Sequence, residues 1–322
     1  MPCLIGDVGA TNVRFAVATP DRQISLMRSY RTCAYSSLLE AVNHYLNEPN
    51  LRNLPRPTRA ALAIAAPLLG DEVSLPNRNW TFSRKGLQAA LQFEVDFYND
   101  FSAVALAVPH LEAADKKEIG VTEPNFDGAI AVIGPGTGLG VAGLIRRANQ
   151  WIDLCGEGGH ATMAATTREE SEILNILRVQ WGHVSAERVL SGPGLVNIYK
   201  ALCIVHSTEA RELNAEDITN AMMKSDGHNE QTTILCIKAF NIFCSMLGTV
   251  AGNVALTLGA TGGVYIAGGI LPRFAESFTA SSFRTRFEHK GRLNSYMHHI
   301  PTYLILHRAP ALLGLIHAEP RP

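Results

Sequence analysis

Several features are missing from this 322-residue chain, and each absence narrows what it can be. There is no charge imbalance: 28 Lys and Arg meet 29 Asp and Glu, for a formal net charge of −1. No basic field is therefore available to hold nucleic acid or an anionic membrane. There is no cysteine framework. Cys3, Cys33, Cys155, Cys203, Cys236 and Cys244 form no C-x-x-C pair and keep no regular spacing. They read as the reduced, scattered thiols of a cytoplasmic protein. The N-terminus has no basic n-region and no long apolar h-region, so export is not expected. One stretch, 239–272, has no charged residue and would pass for a membrane span by length alone. Yet Asn241, Ser245, Thr249, Asn253 and Thr257 recur in it every four residues as a polar stripe, and seven glycines punctuate it. The expected element is a buried amphipathic helix to about Leu258, then a turn and a strand over 264–267.

What is present is a globular composition, 47% hydrophobic and 18% charged, at a length that suits two domains of ordinary size. The chain opens with "LIGDVGATNVRFAVA" at 4–18. This is not a P-loop, which needs Gly-Lys-Ser/Thr, nor a dinucleotide fingerprint, which must run into a helix. After Gly6 and Gly9, the residues Val13, Phe15 and Val17 alternate with period two, so a second strand follows. The piece is a hairpin with an unusually small turn. Such a turn lets backbone N–H groups approach an anion, and Asp7 at the end of the first strand could hold a hydrated Mg²⁺. Taken alone, this stretch is explained somewhat better by a plain hairpin, with glycines for positive φ and Asp7 as a turn former.

The first third alternates strand patterns at 3–6, 12–18, 24–30, 59–65 and 94–98 with helical ones at 36–48, 84–91 and 101–109. Strands follow at 129–134 and 139–146. A helix follows from Arg168 behind a Thr167/Glu170 capping box, with further helices at 194–203, 215–224 and 230–258. Strands at 264–267 and 302–307 and a helix from about Ala309 end the chain. This is an α/β pattern. One echo stands out. "AIAVIGPGTGLGVAGLI" at 129–145 repeats the opening design, strand, small residues, strand, with Gly134, Gly136, Thr137, Gly138 and Gly140 in the small segment. Two such hairpins suggest a duplicated fold clamping a nucleotide.

Four other stretches carry possible chemistry. Asn99 and Asp100 in "EVDFYNDFSAVALAV" fall between a strand and a helix, where α/β proteins bind ligands; an Asp there could take a proton from a hydroxyl, or simply cap the helix. "CGEGGHATM" places Glu157 and His160 in a glycine-rich loop, suited to polyol hydroxyls, too poor in ligands for zinc, and equally readable as an ordinary surface loop. "GHVSAERVLSGPGLVNIY" carries Glu187 in a short helical turn, where pairing with Arg188 is the plain alternative. "GGVYIAGGI" ends a strand in Gly268 and Gly269, open to flat contact with an adenine ring or mere punctuation.

Together "GDVGATN", "NDFSAV", "GTGLGV", "GEGGH", "GHVSAERVLSGPGLVN", "GGVYIAGGI" and "PRF" resemble, in order and over nearly the whole chain, the bacterial glucokinases of the hexokinase-like superfamily, which includes actin. The resemblance implies a two-domain actin/hexokinase-like (ribonuclease H-like) fold with an interdomain cleft. Residues 1–109 would form the small domain, rejoined by a C-terminal helix at 309–322, and 110–308 the large one. It implies Asp100 as general base and Asn99, Asp100, Glu157, His160 and Glu187 as glucose ligands. Gly6, Asp7, Gly9, Ala10, Thr11 and Asn12 of the first hairpin, Thr137 and Gly138 of the second, and Gly268 and Gly269 would hold ATP, with Asp7 behind Mg²⁺ through water. A cytoplasmic homodimer is implied as well. Two departures stand out. Ala10 replaces the usual third glycine, which makes nucleotide affinity an open quantity. The cysteine-rich zinc motif of the related repressor–kinase sugar family is missing.

The activity implied is ATP-dependent phosphorylation of the glucose 6-hydroxyl, the first step of glycolysis. The rival readings are a kinase for another hexose, such as mannose or glucosamine, and a sugar-binding regulator without turnover. The first strand starts by Cys3, leaving no room for the DNA-binding helix pair expected of such a regulator.

Overall fold

The computed structural model describes residues 2–51, 55–75, 80–120, 125, 127–148, 150–223 and 230–320; the last residue of the helix expected over 215–224 lies outside these. They fall into two compact units. One comprises Met1–Glu112, Arg147–Cys155 and His307–Pro322, the other Ala113–Arg146 and Gly156–Leu306.

In the first unit, β1 (Cys3–Val8) and β2 (Asn12–Ala18) form the opening hairpin, and β3 (Ile24–Arg31) continues it antiparallel. β4 (Arg59–Ile64) pairs parallel with β1; a two-stranded ribbon, β5 (Glu72–Ser74) and β6 (Thr81–Ser83), follows; β7 (Glu94–Asn99) pairs parallel with β4. The sheet order is β3-β2-β1-β4-β7. Ala60, Leu62, Ala63 and Ile64 of β4 are fully buried, as expected of a central parallel strand covered on both faces. Helices α1 (Leu38–Leu46) and α2 (Arg84–Leu91) start at Ser37 and Ser83, whose side chains accept from Glu40 N and Gly86 N. Helix α3 (Asp100–Ala107) follows β7 directly.

The C-terminal helix, Pro310–His317, packs on α3, and the Tyr98 hydroxyl donates to Glu319 O just beyond it. At its end His317 stacks on His110, with ring centroids 3.4 Å apart and planes 7° from parallel, while Arg22 Nη1 lies 3.1 Å from His317 Nδ1. Burial first, then His110 and Arg22, push the His317 pKa down to about 4. Burial and Arg22 lower that of His110 as well. Both rings are thus neutral in the fold at neutral pH. An unfolded chain takes up these protons below about pH 6.5, so their contribution is full above that pH and is lost as pH falls toward 4. The melting temperature should therefore fall between pH 7 and pH 5, with a shallower slope in His317→Gln. An identical slope in the variant would remove the pair from the account.

The second unit repeats the design. β8 (Lys116–Ile119) comes first; β9 (Ile130–Pro135) and β10 (Leu139–Arg147) form an antiparallel hairpin; β11 (Gln150–Gly156) belongs almost wholly to the residues grouped with the first unit. β12 (Gly263–Ile266) runs parallel to β9, and β13 (Thr302–Ile305) parallel to β12. Within the unit the order is β10-β9-β12-β13-β8. A hairpin whose first strand continues into two parallel neighbours thus occurs in each unit. The main helices are α4 (Arg168–Trp181), α5 (Gly192–Val205), α6 (Ala215–Met223) and α7 (Glu230–Leu258).

Helix α7 is long and apolar enough to cross a membrane, yet 67% of its most apolar window is buried inside the protein. Its polar stripe has partners. Ser245 meets Ser282, Thr249 accepts from Arg286 Nη2 at 2.9 Å, and Asn253 accepts from Lys290 Nζ at 2.6 Å. The helix Phe283–Glu288 supplying Arg286 is six residues long, too short to display a helical period in sequence, and was not expected. Nor were β5, β6, β8 and β11. β8, "KKEI", is a charged strand without apolar alternation. The capping box at α4 closes on one side only. Thr167 accepts from Glu170 N, but the Glu170 carboxylate accepts from Thr166 N, 2.7 Å away, and from Arg286.

Candidate functional site

In the first unit the carboxyl ends of β1, β4 and β7 carry the candidate residues. Asp7, Ala63 and Tyr98 form one cross-strand row, and Val8, Ile64 and Asn99 the next. Asp7 and Asn99 are thus two strands apart, about 10 Å by sheet spacing. Asn99, 7% exposed, is the N-cap of α3: its Oδ1 accepts from Phe101 N and Ser102 N. The helix therefore begins at Asp100, one residue earlier than its sequence suggested. Asn99 is the capping residue, and half-buried Asp100 occupies the first helical position, where the helix dipole favours negative charge and its Oδ1 shares Phe101 N with Asn99 at 2.9 Å.

Hairpin register also supplies a residue that sequence reasoning missed. With Val8 opposite Val13, Asp7 faces Arg14, and Arg14 Nη1 donates to Asp7 Oδ2 at 3.4 Å. Burial pushes the Asp7 carboxyl above its ordinary range, and Arg14 draws it back. Counting back from a four-residue turn would have found this pair. The turn itself is held by Thr32, a second residue that was missed. Gly9 N donates to Asn12 O, Thr32 N to Thr11 O, and Thr32 Oγ1 to Gly9 O, each at 3.0 Å. Three carbonyls that would repel an anion are thereby engaged within the protein. Gly6 lies inside β1, where a side chain would collide with Leu62 and Phe15; it serves packing, not positive φ. Ala10 also has no positive φ, so its methyl is accommodated without backbone strain.

In the second unit the hairpin turn 136–138 is held in the same manner. Gly136 N donates to Gly138 O and Gly192 N to Gly136 O, both at 2.8 Å, and Leu139 N donates to Glu187 Oε2 at 2.9 Å. Thr137 is exposed at its tip. Gly268, with φ +95°, lies so close to Pro135 O that only glycine fits, while exposed Gly269 lines a hollow of about 600 Å³ with Thr137, Pro193, Asn214, Glu216 and Arg273. That volume suits a nucleoside. Gly138 and Gly268 stand behind the hollow rather than in its wall.

Glu157 precedes the turn Gly158–His160, His160 is its last residue, and both are exposed. The loop is stapled to the segment that carries Glu187: Ala186 N donates to Ala161 O at 2.8 Å, Met163 N to Val184 O at 3.0 Å, and Thr162 Oγ1 meets His183 Nε2 at 3.0 Å. Glu187 sits in the 3-10 turn Ala186–Arg188, and its backbone carbonyl accepts from Ser191 Oγ, which also caps α5. The Arg188 guanidinium stacks 4.7 Å from the Trp181 ring centroid, away from the role of partner to Glu187. Glu157, His160 and Glu187 are therefore carried on adjoining segments within one unit.

A protein-family model described as Glucokinase matches residues 4–320. A glucokinase of Nitrobacter hamburgensis is 49% identical over 320 residues, covering 99% of this chain and 97% of the relative. One of Yersinia pestis is 44% identical over 313 residues, covering 97% and 94%. Among solved structures, a glucokinase from an Antarctic psychrotroph superposes with a TM-score of 0.84 at 36% identity, covering 98% of each chain. A glucokinase from Balamuthia mandrillaris in complex with glucose gives 0.79 at 20% identity, covering 98% of this chain and 92% of that one. A ROK family glucokinase from Streptomyces griseus in complex with glucose and AMPPNP gives 0.67 at 15% identity, covering 98% of each; these last two show likeness of fold.

Proposed function

The chain belongs to the glucokinase family, with the actin/hexokinase-like fold, and on that premise we propose that it transfers the γ-phosphoryl group of ATP to the 6-hydroxyl of D-glucose. The observation that carries this reading is the match at 49% identity across 99% of the chain. The arrangement at α3 supports the mechanism: Asn99 caps the helix through Phe101 N and Ser102 N, so the cap does not depend on Asp100, whose Oδ1 only shares Phe101 N. Asp100 orients the 6-hydroxyl and accepts its proton as the oxygen attacks phosphorus. Asn99, Glu157, His160 and Glu187 fix the other hydroxyls; the carboxylates accept, and the Asn99 amide, its oxygen occupied by α3, donates.

In the turns at Gly9–Asn12 and Gly136–Gly138 the Gly9 and Gly136 N–H groups are spent on Asn12 O and Gly138 O, and the remaining backbone N–H groups, Thr137 and Gly138 among them, are directed to phosphate oxygens. The hollow beside Gly269 takes the nucleoside. The residues present fit a hydrated Mg²⁺. Asp7 offers a hard oxygen donor near the end of β1 and would hold the ion through water. When bound, Mg²⁺ neutralises charge on the phosphates. None of the six cysteines is in a disulfide, which supports a reducing, cytoplasmic setting. A homodimer acting at the first step of glycolysis completes the proposal, its mass open to sedimentation.

A coupled assay with ATP and glucose, mannose or glucosamine tests the substrate. Glucose should give the largest kcat/KM, and a higher value for either of the others would overturn the assignment. In the same assay Glu157→Gln should raise the glucose KM about ten- to a hundred-fold and change the ATP KM little, since a hydrogen bond to a charged group is worth roughly 1.5–3 kcal/mol. Equal effects on both substrates would place Glu157 outside the sugar pocket.

A further inference from the structure

One carboxylate stands in both halves of the chemistry. Glu187 Oε2 accepts from Leu139 N at 2.9 Å, the first residue of β10 after the phosphate turn. The approach is so close that a Cβ on Gly138 would overlap that oxygen. The other end of the same turn is held by Gly192 N on Gly136 O at 2.8 Å, and Ser191 Oγ, next in chain, donates to Glu187 O at 2.9 Å. Glu187 and Gly192 therefore hold the turn as one linked support.

We propose that Glu187 is a positioning residue that couples sugar binding to the geometry of the phosphate turn. The inference rests on the reading of Glu187 as a sugar ligand. An ionised carboxylate accepts at both oxygens. Oε2 serves the turn, and Oε1 serves a sugar hydroxyl. Occupancy of Oε1 removes the rotational freedom of the carboxylate and so fixes the acceptor that holds Leu139 N. The N–H groups of Thr137 and Gly138 are then set for phosphate before nucleotide arrives, that of Gly136 being spent on Gly138 O. Because linkage is reciprocal, nucleotide must tighten sugar by the same factor.

The test is calorimetry with glucose and AMPPNP, each alone and with the other at saturation. In the wild-type protein glucose should tighten AMPPNP about five-fold or more, within the usual range of site coupling. Gly138→Ala pushes on Oε2, so glucose affinity measured without nucleotide should fall about ten-fold, one charged hydrogen bond's worth, although the substitution lies in the phosphate turn. A folded Gly138→Ala protein with unchanged glucose affinity overturns the coupling. Glu187→Gln keeps an acceptor for Leu139 and offers the sugar a donor, so glucose binding should weaken and the coupling ratio fall below about two-fold. If Gly138→Ala does not fold, this ratio decides, and a retained five-fold coupling sinks the proposal. Unchanged glucose affinity in Glu187→Gln is a different failure: it removes Glu187 from the sugar site altogether.

Discussion

Asp100→Asn should fold, bind glucose, and turn over about 10²–10⁴ times more slowly, the usual loss when a general base is removed. The substitution is nearly isosteric. Helix α3 keeps its cap, because Asn99 makes the hydrogen bonds to Phe101 N and Ser102 N. What disappears is the ability to accept a proton from the attacking hydroxyl. Three measurements on one variant separate the possibilities: turnover, glucose affinity by calorimetry, and melting temperature. A folded, sugar-binding variant with turnover within a few-fold of wild type would refute the mechanism. Loss of glucose binding along with turnover would instead make Asp100 mainly a ligand.

The largest effect on stability is expected at Arg286. Its guanidinium grips Glu170 with Nη1 to Oε1 at 2.9 Å and Nη2 to Oε2 at 3.2 Å, and also reaches Thr249 Oγ1 and Thr166 Oγ1. Glu170 is 2% exposed. Arg286→Ala leaves that carboxylate buried without its cation, which typically costs about 3–5 kcal/mol. The double change Arg286→Met with Glu170→Leu removes both charges and should recover most of the loss, since apolar replacement of a buried pair is often neutral. Urea denaturation of the three proteins decides. If the double variant is no more stable than Arg286→Ala, the penalty lies in lost packing and not in an orphaned charge.

Much of this arrangement was legible in the sequence, for local reasons. Period-two alternation at Val13, Phe15 and Val17 marks the second strand of a hairpin wherever the sheet lies. Asn99-Asp100 marks a strand-to-helix junction because both residue types favour one, though which of them caps depends on a single residue of register. Tertiary pairings were not legible. Thr32 looks like any threonine until its hydroxyl meets Gly9 O, 23 positions away. Glu187 reads as a helical acid beside an arginine, and only the folded chain brings Leu139 N to it across 48 positions. The polar stripe of α7 was visible, but not what it faces, because its partners sit in a segment too short to announce itself.

That stripe carries a consequence for synthesis. Ser245 with Ser282, Thr249 with Arg286, and Asn253 with Lys290 are each separated by 37 residues, all in one direction along the chain. Helix α7 is therefore translated well before anything exists to receive its polar face. During that interval the nascent chain displays 34 charge-free residues, 239–272, which satisfy the length criterion of a bilayer-spanning segment. A message truncated before codon 282 would yield a product in which this window never finds its cations, and which presents to chaperones and insertion machinery the features of a membrane protein.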